Sequence, residues 1–152
     1  LSENLLRSYE VNQNDIRLVV SADDINLEID TAVSCGLIIN ELVSNSLKYA
    51  FPFAHDTASG LLRESRTESR TENKIENRIE NKITIEARNS NQDSFSIHYR
   101  DNGIGLPESL DIQNTDTLGL QLVTSLTEQL DGDLHVSNNA GASFELTNLR
   151  AT

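Results

Sequence analysis

The chain has 152 residues, enough for one domain with a proper core. Apolar residues make up 37% and the formal net charge is −12, which argues against nonspecific binding to nucleic acid or to an anionic membrane. A single cysteine, Cys35, excludes an intrachain disulfide and fits a reducing compartment, and no apolar run approaches the roughly 20 residues that span a bilayer.

Leu1 to Glu10 lacks the basic start and apolar block of a signal peptide. The first residue is not Met, so a piece of a longer chain is expected. Leu5, Leu6 and Tyr9 fall at helical spacing, which predicts the last turns of a helix begun upstream. Ile16 to Val20, IRLVV, is a strand by its β-branched content. Ser21 to Asp24 reads as a turn, and Asn26 to Ile29 alternates as a short second strand.

Asp30 to Pro52 reads as one amphipathic helix. Asp30 and Thr31 supply N-cap chemistry, and Phe51-Pro52 stops the helix because proline disfavours helical geometry in the residue before it. On a helical wheel, Ile39, Val43, Leu47 and Ala50 form an apolar stripe flanked by Cys35 and Leu42. Glu41, Asn45 and Lys48 lie opposite, at i, i+4 and i+7, with Leu37 and Ile38 beside them. The trio suits phosphate chemistry: a carboxylate can orient or deprotonate a nucleophile, a neutral amide oxygen suits a hard cation, and an ammonium meets phosphate oxygens.

Past Pro52 the pattern is lost, and Arg66 to Asn81 becomes a four-residue repeat, RTES-RTEN-KIEN-RIEN. Residues 53–81 are read as a low-complexity polar insert. Ile83 to Arg88 and Phe95 to Tyr99 alternate as a hairpin across Asn89 to Asp93. Arg100-Asp101-Asn102-Gly103-Ile104-Gly105 follows, with glycines that permit close approach of a flat ligand and a carboxylate that can accept from an exocyclic amine. Glu108 to Leu118 is polar, and Gly119 opens a second amphipathic helix that ends near Leu130. Free backbone N–H groups at such a start suit phosphate. Leu134 to Ser137 and Ser143 to Leu149 complete the strands. His55, His98 and His135 have no metal-ligand companions, which leaves a zinc site unsupported.

Asn40 to Pro52 resembles the N box of sensor histidine kinases. Asp101-Asn102-Gly103-Ile104-Gly105 resembles their first glycine box, Thr117-Leu118-Gly119-Leu120 the second, and Gly141-Ala142-Ser143-Phe144 a closing G-T-x-F element. Order and spacing are most similar to the HisKA_2-type kinases, within the superfamily that also holds gyrase, Hsp90-type chaperones and MutL. Thr117 stands where the second box carries an upstream glycine, and the segment before it has no phenylalanine.

The resemblance implies a Bergerat fold: a two-layer α/β sandwich with a mixed sheet, helices on one face and nucleotide between helix and lid. It implies an ATP-binding catalytic domain over residues 11–152, with residues 1–10 ending an upstream dimerisation helix. Glu41 would be catalytic; Asn45 would hold Mg2+; Lys48 would meet phosphate and Tyr49 the ring or sugar. Asp101 would read the adenine amine, Gly103 and Gly105 would let the base lie close, and the Gly119 and Leu120 amides would meet phosphates. The γ-phosphoryl would pass to a histidine on a separate helical domain, in a cytoplasmic homodimer serving a response regulator, with no nucleic-acid partner. The isolated domain could be monomeric. The alternatives are another ATPase of the superfamily, or a degenerate non-catalytic nucleotide- or partner-binding module.

Overall fold

Alternation of apolar and polar residues builds most of this molecule, seen in a computed structural model described for residues 7–11, 16–51, 80–108 and 117–151. The strands are β1 (Arg7–Val11), β2 (Ile16–Ala22), β3 (Asn81–Asn89), β4 (Ser94–Asp101), β5 (Asp133–Asn138) and β6 (Ala142–Arg150). The helices are α1 (Ile29–Asn45), continued by a π-helical turn over Ser46–Ala50, and α2 (Leu118–Gln129). Residues 53–79 of the insert and 109–116 of the polar segment lie outside the described residues.

The strands form one six-stranded sheet in the order β1-β2-β3-β4-β6-β5. β2 and β3 pair in parallel, a geometry that requires a long crossover, and α1 lies in that crossover. Every other pair is antiparallel. The registers Leu18↔Ile83, Ile85↔Tyr99, Tyr99↔Phe144 and Ile97↔Leu146 put one row of apolar side chains on a single face. That face joins Cys35, Ile38 and Leu42 of α1 and Leu120 and Val123 of α2 in one buried cluster. The other face carries Glu86, His98, Glu145 and His135 in register. The result is the predicted two-layer sandwich: a mixed sheet with helices on one face.

Four sequence expectations need correction. Arg7 to Tyr9 is strand, paired antiparallel to β2, and not the end of a helix. The assignment of residues 1–10 to a helix therefore fails where the chain is described; three apolar residues at helical spacing cannot outweigh a sheet edge whose backbone groups need partners. Asn26 to Ile29 is extended in part but joins no ladder: Ile25 and Leu27 point inward and Glu28 donates to the Ala151 carbonyl. α1 then begins at Ile29 with Glu28 as N-cap, and neither Asp30 nor Thr31 caps it. The buried stripe of α1 is Thr31, Ser34, Cys35, Ile38 and Leu42, about one position away from the predicted one. Leu47 is exposed and Ile38 fully buried.

Candidate active site

The last turns of α1 organise the site, because both loops that matter close onto them. On one side is the end of β4. Asp101 is only 2% exposed, and its carboxylate accepts three hydrogen bonds from the protein. Ser46 donates to Oδ2 at 2.5 Å, and the backbone amides of Gly103 and Ala142 donate to Oδ1 at 3.0 and 3.1 Å. Tyr99, two residues back on the same face of β4, reaches the Ser46 hydroxyl at 2.7 Å and the Leu42 carbonyl at 3.0 Å. Burial pushes the Tyr99 phenol well above its ordinary pKa, so it remains a donor.

The loop after Asp101 is held by packing that only glycine permits. A side chain at Gly103 would fall on the backbone of Ala50, whose carbonyl accepts from the Ile104 amide at 3.0 Å. Gly105 has φ +81 and lies against Asn138, which makes a two-way amide clasp with the Leu106 backbone at 2.9 and 2.7 Å. Asn102 braces the loop to the start of β3, accepting from Lys82 N at 2.6 Å and donating to the Glu80 carbonyl at 2.8 Å. Both glycines therefore have a reason in the protein's own packing, whatever lies against them.

On the other side is the N-terminus of α2. A Cβ at Gly119 would stand 2.6 Å from a Glu41 carboxylate oxygen and 3.8 Å from the Asn45 side-chain nitrogen. Glu41 and Asn45, both half-buried, thus face the end of α2 where backbone N–H groups and the positive dipole end are found. Leu120 turns inward and is part of the core, so only its backbone faces the helix start. Lys48 and Tyr49 sit on the π turn that follows and are exposed, Tyr49 by 68%.

The predicted residues therefore fall in two groups that meet on α1: Glu41, Asn45 and Gly119, and Asp101 with Gly103. Asn45 and Ser46 are consecutive, so the groups adjoin. Sequence reasoning missed Ser46, Tyr99 and the Ala142 amide. The first two carried a signal: a serine and a tyrosine in otherwise apolar rows need buried partners. A polar cleft of about 500 Å³, lined by Asp24, Asn26, Asn89, Ser90, Gln92 and Ala151, lies at the opposite end of β3 and β4 and contains none of these residues. No helix among the described residues is long and apolar enough to cross a membrane.

Comparison with known proteins agrees with this geometry. Residues 30–152 match the family described as histidine kinase-, DNA gyrase B-, and HSP90-like ATPase. The chain is 27% identical over 122 residues to blue-light-activated histidine kinase 2 of Erythrobacter litoralis, covering 80% of this chain and 28% of that protein. It is 30% identical over 109 residues to the sensor histidine kinase PdtaS of Mycobacterium tuberculosis, covering 71% of this chain and 17% of that one. The chain thus spans less than a third of these relatives. The solved structure of the Erythrobacter litoralis EL346 blue-light activated histidine kinase superposes with a TM-score of 0.67 at 21% identity, over 90% of this chain and 36% of that one. With a family match over most of its length, and a carboxylate and an amide of one helix facing the N-terminus of another, the chain belongs to the histidine kinase-, DNA gyrase B- and HSP90-like ATPase family.

Proposed function

We propose that this domain binds Mg·ATP across the end of α1 and supplies the γ-phosphoryl to a histidine on a separate helical domain of its parent protein. One observation carries the reading: Ser46 binds the Asp101 carboxylate, while Glu41 and Asn45 on the turn before it face Gly119 at the start of α2. A base read by Asp101 would then lie within reach of a triphosphate seated at Gly119.

Asp101 accepts from the adenine amine. The Gly119 and Leu120 amides meet phosphate oxygens, and Lys48 and Tyr49 are free to close over the nucleotide from the solvent side. Asn45 and Glu41 offer oxygen donors of the kind a hard divalent cation takes, and they stand where phosphates would arrive, so the residues fit Mg2+. When bound, Mg2+ would neutralise phosphate charge, with Asn45 as its protein ligand. Glu41 orients or deprotonates the acceptor imidazole, and the rest is positioning.

The partner is a phosphoacceptor helical domain. Support comes from Ile29, Val33 and Leu37, spaced four apart on α1 and exposed by 81%, 56% and 44%, an apolar stripe suited to a helix. The parent protein would be a cytoplasmic homodimer of the HisKA_2 type that passes the phosphoryl to a response regulator. The buried free thiol of Cys35 fits that reducing compartment.

Titration with Mg·ATP tests the site. Asp101→Asn and Asn45→Asp should each lose at least about tenfold in affinity, the scale of one hydrogen bond to a charged group. Wild-type affinity in both variants would refute the assignment.

A further inference from the structure

Resting on the nucleotide reading above, we infer that Ser46 and Tyr99 are positioning residues that make Asp101 specific for an exocyclic amine. Two carboxylate oxygens offer about four acceptor positions. Ser46, Gly103 and Ala142 fill three of them at 2.5, 3.0 and 3.1 Å. One acceptor position is left for a ligand, and the fixed carboxylate cannot rotate to present another.

The direction of the chain matters. Tyr99 has one hydroxyl hydrogen and two acceptors within reach, Ser46 Oγ at 2.7 Å and the Leu42 carbonyl at 3.0 Å. When it donates to Ser46, a serine that accepts from tyrosine turns its own hydrogen onto Asp101. Tyrosine, serine and carboxylate then run in one sense, each bond polarising the next. Asp101 ends the relay as a pure acceptor. A 6-amino purine meets it with a hydrogen. A 6-oxo purine meets it with a lone pair, and nothing in the relay supplies a proton between them. Ser46 is 4% exposed and Tyr99 fully buried, so both hydroxyls find their partners within the protein.

Tyr99 acts only through Ser46, which makes the two hydroxyls non-additive. The full chain and three variants, Ser46→Ala, Tyr99→Phe and the double variant, are titrated with Mg·ATP and with Mg·inosine triphosphate, which carries oxygen in place of the amine. Ser46→Ala should lose about tenfold for ATP and much less for inosine triphosphate, so the ATP preference collapses. Tyr99→Phe should lose about threefold with the same narrowing of preference, and the double variant should match Ser46→Ala within about twofold.

Equal losses for both nucleotides, or additive losses in the double variant, would show a structural role only and overturn the inference. If Ser46→Ala does not fold, Tyr99→Phe, which keeps the ring, decides on the same ratio. Wild-type protein that fails to bind ATP sinks the site assignment and this inference with it. Wild-type binding that is lost in Asp101→Asn, with the ATP preference intact in Ser46→Ala and Tyr99→Phe, sinks this inference alone.

Discussion

A methyl group at Gly119 would press on the far end of the Glu41 side chain, whereas one at Gly141 would fall on the Asp101 backbone. The difference sets what each glycine is for. Glu41 can swing away, so Gly119→Ala should change stability by less than about 1 kcal/mol while displacing the carboxylate from the α2 N-terminus. ATP affinity or turnover should fall with the melting temperature unchanged. Gly141 has φ +114, and its neighbour cannot move without carrying Asp101 with it. Gly141→Ala should cost about 2–4 kcal/mol and appear first in a thermal melt. The resemblance singles out Asp101 and Gly119 as candidates from sequence alone. It could not identify Gly141 as the support of Asp101, because the two are forty residues apart and meet only through the β4·β6 pairing.

α1 shows what periodicity can and cannot give. Its existence, the end of its π-helical continuation at Phe51 and its possession of Glu41 and Asn45 were legible in the sequence. Its buried face was not, because Leu37, Ile38, Ile39, Leu42 and Val43 spread apolar residues over more than half of the wheel. Packing chose the Cys35, Ile38, Leu42 side, which brings Ser46 to Asp101. Ile38→Ala should therefore cost about 2–5 kcal/mol, and Leu47→Ala, at a 42%-exposed position of the predicted stripe, less than about 1 kcal/mol. Chemical denaturation of the two variants distinguishes the observed stripe from the predicted one. The π turn at Ser46–Ala50 was also invisible, since no residue pattern announces it. Its wide turn breaks the spacing by which Lys48 was placed in line with Glu41 and Asn45. β3 to β6, by contrast, were readable to within a residue or two at each end, because one buried face and one wet face impose an alternation that breaks at the irregularity between Phe95 and Ile97.

The whole molecule has a buried face and an open one, and both have consequences that can be measured. Burial raises the Cys35 thiol to about 11 from 9.0. The folded state thus holds this proton more tightly than the unfolded chain. Its stabilising effect is complete below pH 9 and is lost as pH rises to about 11. Tyr99 acts in the same sense at higher pH. Melting temperature should therefore fall steeply above pH 9, and Cys35→Ala should keep more of its own neutral-pH stability across that window.

The open face decides where phosphate can go. His98 lies on the side of β4 opposite Tyr99 and Asp101, with Nδ1 4.0 Å from Glu145 Oε1, and His135 lies across β6 from the same glutamate. Both belong to hydrogen-bonded strands and cannot swing around the sheet. Glu41, Asn45 and Gly119 are on the helical side, a layer of about 10 Å away. In-line transfer requires the accepting nitrogen within about 3.5 Å of the phosphorus, a distance neither imidazole can reach from its strand. The chain incubated with γ-labelled ATP should gain no acid-labile phosphohistidine at His98 or His135. Label should appear only on a helical acceptor domain supplied in trans, and Val33→Glu on the exposed α1 stripe should diminish it while ATP binding stays unchanged. Label on either strand histidine would mean that the nucleotide sits on the other face of the sheet, and with it the whole placement of the site would be wrong.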